Sequence, residues 1–331
     1  MLTVGPTSRD RGPRRDNGLA MHLLIPFAGT VSEAGRHALQ SLSLPRLERL
    51  LARLTPGTVL GSDEFSLNPP HEQALAAARG WHADAAALPD AALPFAALQA
   101  AALGLPPEPA WGLLTPVHLH LGTEQVSLTE PAGLQLDEAT SRELLDIVRP
   151  LFETEGFTLH WAAPLQWLAT HALFDGLATA SLDRVTGRNI DPWLPDQRSA
   201  RLIRRLQNEV QMLLYTHAVN DRREAAGLPT VNSFWLSHCG RLPASAHPAP
   251  VTVDDRLRAP ALAEDWAAWC DAWRALDAGP IDALLRTGGD VTLTLCGERR
   301  AQDFAPAPQG LWQRMSGTWR KPSAIAVLEA L

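Results

Sequence analysis

The hydrophobic positions of this chain change period several times, and each change marks an element. Residues 21–28, MHLLIPFA, are a short apolar run that predicts a buried strand ending at Gly29. Ser32 stands as an N-cap for a helix running toward Leu42. Pro45 opens another, in which Leu47, Leu50, Leu51 and Leu54 recur at helical spacing until Pro56-Gly57 stops it. A helix is expected after Pro69-Pro70, and the Ala/Leu/Pro stretch 83–109 has room for one short helix and a loop. Leu113–Leu121 and Gln125–Leu128 read as strands around Gly122-Thr123. Asp137 caps a helix with Leu144, Leu145, Val148 and Leu151 on one face, and 157–161 and 165–169 read as a hairpin. The strongest helical stripe runs from Ser199 to about Asn220 through Leu202, Ile203, Leu206, Val210, Leu213 and Leu214. Val231–Leu236 follows as a strand, 244–260 as a linker or long loop, Asp265–Leu276 as a helix and Asp290–Cys296 as a strand. No internal repeat is visible. Strands interleaved with helices argue an α/β fold.

Composition narrows the functional classes. The chain has 331 residues, 46% hydrophobic and 20% charged, an ordinary globular balance with ample length for a core. A net charge of −7 argues against a general basic surface for nucleic acid. No run approaches the ~20 apolar residues of a membrane span. Residues 1–20 carry Arg9, Arg11, Arg14 and Arg15 without an apolar centre, which does not fit a secretory signal. They are expected to form a disordered extension, and the protein is expected in the cytoplasm. Cys239, Cys270 and Cys296 are odd in number and widely spaced, which makes neither a disulfide framework nor a zinc knuckle. They read as buried small hydrophobes in a reducing compartment.

Familiar catalytic signatures are missing. There is no phosphate-binding Gly-x-x-x-x-Gly-Lys-Ser/Thr, no Gly-x-Gly-x-x-Gly and no Gly-x-Ser-x-Gly. His118 and His120, two apart in an expected strand, would share a face as metal ligands do, but the nearest acid, Glu124, lies beyond a turn, and ordinary polar packing is the preferred reading. Trp266, Trp269 and Trp273 form a helical stripe that fits either core packing or a partner interface.

The densest polar cluster lies between Ser181 and Pro243. Arg184 and Arg188 precede the long helix; His217, Asn220, Arg222 and Arg223 stand at its expected end, and Asn232 opens the next strand. Guanidinium groups bind phosphate bidentately, so these residues are candidates for an anion site. A helix of ~20 residues is about 30 Å long, so one phosphate cannot bridge both ends. The end with His217, Asn220, Arg222, Arg223 and Asn232 is the better candidate. The alternative stays open: the asparagines tie the loop to the strand and the arginines cap the helix.

The same segment resembles archaeal-type cofactor-independent phosphoglycerate mutases. Thr186-Gly187-Arg188, Leu194-Pro195, His217-Ala218-Val219-Asn220, Arg222 or Arg223, Gly227, Pro229, Asn232, Gly240 and Pro243 follow that family's order over roughly sixty residues. Leu44–Arg53 looks like a helix of the wider alkaline-phosphatase superfamily. From Met21 onward the chain resembles a bacterial group labelled phosphoglycerate mutase or RpfE-type regulatory protein, through MHLLIPFA, PPHEQALA, LLTPVHLHLG, QNEVQMLLYTH and VNSFWLS. The resemblance implies two divalent metals and a phosphate-relaying serine in active members. Their first metal carboxylate follows the first strand as Asp-Gly, where this chain has Pro26-Phe27-Ala28-Gly29 with no acid. After the last strand it has Gly297-Glu298-Arg299-Arg300 in place of an Asp-His pair, and the family's Trp-Gly-x-Gly becomes Ser237-His238-Cys239-Gly240. Thr30 and Ser66 are only positional candidates for a nucleophile.

The resemblance implies an α/β fold with an alkaline-phosphatase-like three-layer core and an inserted smaller α+β region. Its expected parts are the extension 1–20, the first core part 21–110, the insertion 111–229 with the long helix, and the second core part 230–331. The expected function is a mutase-like protein without the bimetal centre, in a non-catalytic binding or regulatory role. The alternatives are an active phosphoglycerate mutase or other phosphoryl-transfer enzyme, and a protein-interaction module. No cofactor is expected, a divalent metal entering only with the enzyme alternative. The expected partners are a phosphorylated small molecule or a protein, and neither nucleic acid nor membrane.

Overall fold

The computed structural model describes residues 21–61, 63–81, 92–123, 125–194, 200–243, 250–287, 290–306 and 323–331. The expected disordered extension 1–20 lies outside these residues. In chain order the elements are β1 (Met21–Ile25), α1 (Glu33–Gln40), α2 (Pro45–Leu51), β2 (Thr55–Gly61), α3 (Pro70–Ala78) and α4 (Phe95–Ala102). There follow β3 (Trp111–Val117), β4 (Leu119–Leu121), β5 (Val126–Leu128), α5 (Glu138–Thr154), β6 (Thr158–Ala163) and β7 (Gln166–Thr170). Next come α6 (Leu182–Val185), α7 (Ala200–Tyr215), α8 (Ala218–Ala225), β8 (Ser233–Gly240), β9 (Val251–Val253) and α9 (Arg258–Leu262). The last are α10 (Trp266–Leu276), α11 (Asp282–Arg286), β10 (Val291–Cys296), β11 (Arg300–Ala305) and α12 (Ala324–Glu329).

The strands form a five-stranded sheet in the order β2-β11-β10-β1-β9, a four-stranded sheet β6-β7-β3-β8 and a small β4-β5 hairpin. In the first sheet β1 runs parallel to both β10 and β9, with Ile25 opposite Leu295 and Leu24 opposite Val253. Leu23, Leu24 and Ile25 are all buried, as a strand covered on both faces requires. On one face Leu23, Ile25, Leu293 and Leu295 meet Leu39, Leu47, Leu50, Trp269, Trp273, Leu284 and Leu328 from the flanking helices. On the other face Leu24, Cys296 and Ala301 meet Ala74 of α3. The chain is therefore a mixed α/β protein, with helices on both sides of its partly parallel sheet.

The second sheet is antiparallel throughout. Leu114, Trp167, Phe234 and Leu236 pack on Leu144, Leu145, Val148, Phe152, Ile203, Leu206 and Val210 of α5 and α7. Ala96, Ala97 and Ala100 of α4 cover Trp111 and Leu168. β8 pairs with β3, so the unit built on this second sheet runs to Gly240.

Several expectations needed tertiary partners to be corrected. The helix opened by Pro45 ends at Leu51, before Pro56-Gly57; both of those residues lie in β2, an edge strand, where proline costs no ladder bond. Part of the expected linker 244–260 is β9, which completes the sheet beside β1. The long helix stops at Tyr215, and α8 begins at Ala218 with His217 as its N-cap, Val219 N donating to His217 Nδ1 at 3.2 Å. Asn220, Arg222 and Arg223 thus belong to a second helix, not to the carbonyl end of the first. His118 falls between β3 and β4, so the expected shared face with His120 is broken; its Nδ1 bonds Thr230. Trp269 and Trp273 are fully buried, which makes their stripe core rather than an interface.

Candidate functional site

The parallel strands β1 and β10 end side by side, and the loops beyond such carboxyl ends are where open α/β sheets place ligands. The loop after β1 turns sharply. Ala28 N donates to Cys296 O at 2.7 Å, and Phe27 adopts a left-handed φ of 55°. Its carbonyl accepts Trp269 Nε1 at 3.0 Å, and its ring lies 5.2 Å from that of His71. A left-handed conformation is uncommon for a bulky residue and marks a backbone held by its surroundings.

Thr30 Oγ1 donates to Glu298 Oε1 at 3.0 Å, and Val31 N donates to the same oxygen at 3.1 Å. Ser32 N in turn donates to Thr30 Oγ1 at 3.2 Å, while Ser32 Oγ caps α1 by accepting Gly35 N at 3.0 Å. These contacts fold the start of α1 over the ends of β1 and β10. Trp266, at the start of α10, closes one side with Ala261, Leu262 and Glu264.

The opposite wall comes from α6 and the residues that follow it. Asp183, Thr186, Gly187 and Arg188 face the same cavity of about 260 Å³. Ser181 Oγ accepts Asp183 N and caps α6, and Gly187 N donates to Leu128 O, so the segment is fixed at both ends. Arg258 Nη2 lies 2.6 Å from Asp183 Oδ1, His71 Nε2 lies 3.2 Å from Oδ2, and Arg258 Nη1 reaches Glu130 at 3.1 Å. Burial opposes the charge on Asp183, but the hydrogen bond and charge of His71 and those of Arg258 outweigh it and hold the carboxyl far below the usual range. Burial likewise opposes the charge on Arg258, and Asp183 and Glu130 overcome it and raise its pKa. Arg184 is buried beside this wall and donates to Asn68 O at 3.2 Å and Asp63 O at 3.5 Å; burial, then the nearby charge of Arg188, lowers its pKa.

The cavity lining therefore combines the hydroxyls of Thr30, Ser32 and Thr186 with Phe27 and Trp266. Among the described residues it carries the carboxylates Asp183, Glu264 and Glu298 and the guanidinium of Arg188. Asp183 is already paired with Arg258 and within hydrogen-bond reach of His71, and Glu298 Oε1 accepts two hydrogen bonds. This lining suits a small polar molecule with an apolar face.

A metal pair of the kind the sequence resemblance implies does not fit here. In the Asp-Gly that the resemblance implies after the first strand, the acid position falls on Ala28, fully buried in the apolar cluster of the flanking helices, and the glycine on Gly29, where a Cβ would lie 2.4 Å from Leu328 O. Glu298 is committed to Thr30 and Val31. Among the described residues, no group of three or more His, Cys, Asp and Glu side chains is arranged to hold a metal ion.

The structure separates the seven candidate anion-binding residues. Arg188 lines the cavity, and Arg184 is buried next to it. The other five do not line it. Asn220 Nδ2 donates to Leu214 O and Val231 O, and its Oδ1 accepts Val231 N, all at 2.8–3.0 Å. Asn232 makes both bonds to the backbone of Leu119. Arg223 is buried and donates to Pro229 O and Leu134 O. Arg222 pairs with Glu143 on the surface, and His217 caps α8. Ser66 Oγ donates to Asn68 O, outside the cavity, whereas Thr30 lies in it. His71, Asp183, Arg258 and Glu298 were not singled out by sequence reasoning as site residues. Only the PPHEQALA segment and the polar cluster between Ser181 and Pro243 pointed near the first two, and nothing pointed to Arg258.

No family model matches the chain, and no curated protein matches it. Among solved structures it is similar to the cofactor-independent phosphoglycerate mutase from Thermoplasma acidophilum DSM 1728, at 12% identity and a TM-score of 0.36, covering 94% of this chain and 98% of that one. It is also similar to the PH0037 protein from Pyrococcus horikoshii, at 12% identity and a TM-score of 0.44, covering 87% of this chain and 88% of that one. Likeness at this level carries no argument about activity.

Proposed function

We propose that this chain is a cytoplasmic, phosphoglycerate-mutase-like protein that retains the ligand cleft of an alkaline-phosphatase-like architecture without its bimetal centre, and that it acts by binding, in a regulatory role of the RpfE type. The observation that supports this most is the loop after β1. Ala28, the position of the implied metal acid, is buried among apolar side chains, and nearby Thr30 and Val31 take up Oε1 of Glu298, the carboxylate that follows β10. The loop that would carry a metal acid is thus built as a wall. The sequence resemblance supplies the ligand class, a phosphorylated small molecule. Among the described residues of the lining, Arg188 and the hydroxyls of Thr30, Ser32 and Thr186 are the groups suited to hold such a ligand.

The test combines metal analysis of purified protein, a mutase assay with added Mn, and thermal shift with 3-phosphoglycerate on wild type and Arg188→Gln. The expected result is no stoichiometric metal, no turnover, and a ligand-induced shift that the variant loses. Two tightly held metals per chain with interconversion of phosphoglycerates would establish the enzyme instead. A shift unchanged in Arg188→Gln would remove the ligand from this cleft.

A further inference from the structure

We propose that Glu72, His238 and Ser181 form a proton-dependent latch that holds the inserted unit against the first sheet and loosens as pH rises. The proposal concerns the ligand-free protein and is independent of what the cleft binds.

α3 is anchored on the first sheet through Ala74, against Leu24 and Cys296. Its first turn projects Glu72 toward the inserted unit. Glu72 is only 8% exposed, and its Oε1 accepts Ser181 Oγ at 2.5 Å and His238 Nε2 at 3.1 Å. Its Oε2 is buried without a hydrogen-bond partner among the described residues. One carboxylate oxygen thus joins α3 to two elements of the other unit, the cap of α6 and the strand β8. His238 reaches it from a strained position. It has φ 58° within a strand, where the β3–β8 register shifts between Trp111 and Leu113. A left-handed non-glycine residue at a bulge re-aims its side chain and persists only when its contacts repay the strain.

The groups facing the His238 ring come from four elements. Glu72 lies on α3; Ser181 and Asp183 lie at α6; Ser237 Oγ sits 3.3 Å from Nδ1 on β8; and Phe95 of α4 meets the ring edge-on at 5.4 Å. Arg184 acts on Glu72 from the same side, and Asp183 is itself held by His71 and Arg258. In the imidazolium both ring nitrogens donate, Nε2 to Glu72 and Nδ1 to Ser237. Burial disfavours that charge, but the charge and hydrogen bond of Glu72, with the charge of Asp183, outweigh it and raise the His238 pKa. A raised folded pKa means the contribution is full below the unfolded value of about 6.5 and is lost as pH climbs through the folded value. When the proton leaves, Glu72 keeps Arg184 as its neighbouring cation but loses its charge-assisted bond to β8. The contact that loosens is between α3 and β8, beside the Glu72–Ser181 bond that holds the segment 181–188 with Asp183 and Arg188 of the cleft wall.

The experiment is hydrogen exchange on the full chain from pH 6 to 9, corrected for intrinsic rates, with an imidazole NMR titration of His238. In wild type, protection of residues 70–78 and 181–188 should fall with a one-proton midpoint above about 6.5, by about tenfold for each unit the folded pKa is raised. Protection should track the His238 titration. His238→Asn accepts the left-handed backbone and removes the charge; Glu72→Gln removes the partner. Both should abolish the pH step. A step that persists in either variant, or a wild-type His238 that titrates at or below about 6.5, overturns the latch. Should neither variant fold, the wild-type titration and exchange still decide: coincident midpoints support it, and their absence rejects it.

Discussion

Thr30 and Glu298, 268 residues apart in the chain, are joined by a 3.0 Å hydrogen bond that closes the loop after β1 onto the loop after β10. Thr30 is 7% exposed, so the bond is sheltered from water, and Glu298 also accepts Val31 N. Replacing Thr30 with Val keeps the shape and removes the donor. The expected loss is about 1–3 kcal/mol, the cost of an under-satisfied sheltered carboxylate. Thr30→Ser should retain most of the stability, and urea unfolding of the two variants measures the difference.

Asp183 should be among the costliest polar positions in the chain. Its Asn variant leaves Arg258 and His71 facing a neutral amide in a mostly buried site, and removing one member of such a network costs about 3–5 kcal/mol. The pH dependence follows from its depressed pKa. The carboxylate's contribution is present above about 3.9, its unfolded value, and is lost as pH falls toward its much lower folded value. Acid unfolding of Asp183→Asn should accordingly show a shallower slope below about pH 4 than wild type. An equal slope would mean that the ion cluster is not what acid breaks.

Placing an acid at Gly29, in the loop after β1, should fail. In Gly29→Asp the new Cβ meets backbone at Leu328, which a rotamer change cannot relieve. Overpacking of this kind costs about 1–3 kcal/mol or more. The expected outcome is a protein with a lowered melting temperature and no gain in Mn binding by calorimetry. A variant of unchanged stability that binds Mn would show that α12 yields easily.

Asn220 and Arg222 stand two residues apart and should behave oppositely. Asn220→Ala orphans the buried Val231 N, Val231 O and Leu214 O, and is expected to cost more than about 2 kcal/mol. Arg222→Gln breaks an exposed pair with Glu143, worth about 0–1 kcal/mol. Neither lines the cleft, so Arg222→Gln should leave any sulfate or phosphoglycerate response intact. Thermal melts with and without ligand check both statements.

Local chemistry was legible where it acts over a few residues. Ser32, Asp137 and Asp265 cap the helices that their positions announce, through Gly35 N, Thr140 N and Ala268 N. The apolar run after Met21 and the alternation of Val291–Cys296 are both strands. The helix break at Thr216 was not legible, because Leu213 and Leu214 continue the apolar stripe to its edge. What ends the helix is His217 capping α8 while Asn220 ties it to the strand start. The same asparagine looked like an anion ligand only because its backbone partners are created by that turn.

The sequence by itself determined the α/β class, most element positions and the lack of an acid after β1, since all three depend on neighbours within one turn or one strand. Tertiary structure alone decided that Val251–Val253 is a strand, that Thr30 meets Glu298, that Asp183 meets Arg258 and His71, and that Glu72 meets His238. Those contacts join residues 75 to 268 positions apart, together with a strand of three residues that holds only when β1 is beside it. A buried charge or a short edge strand is stable only with its partner in place, and chain order does not say which partner folding will bring.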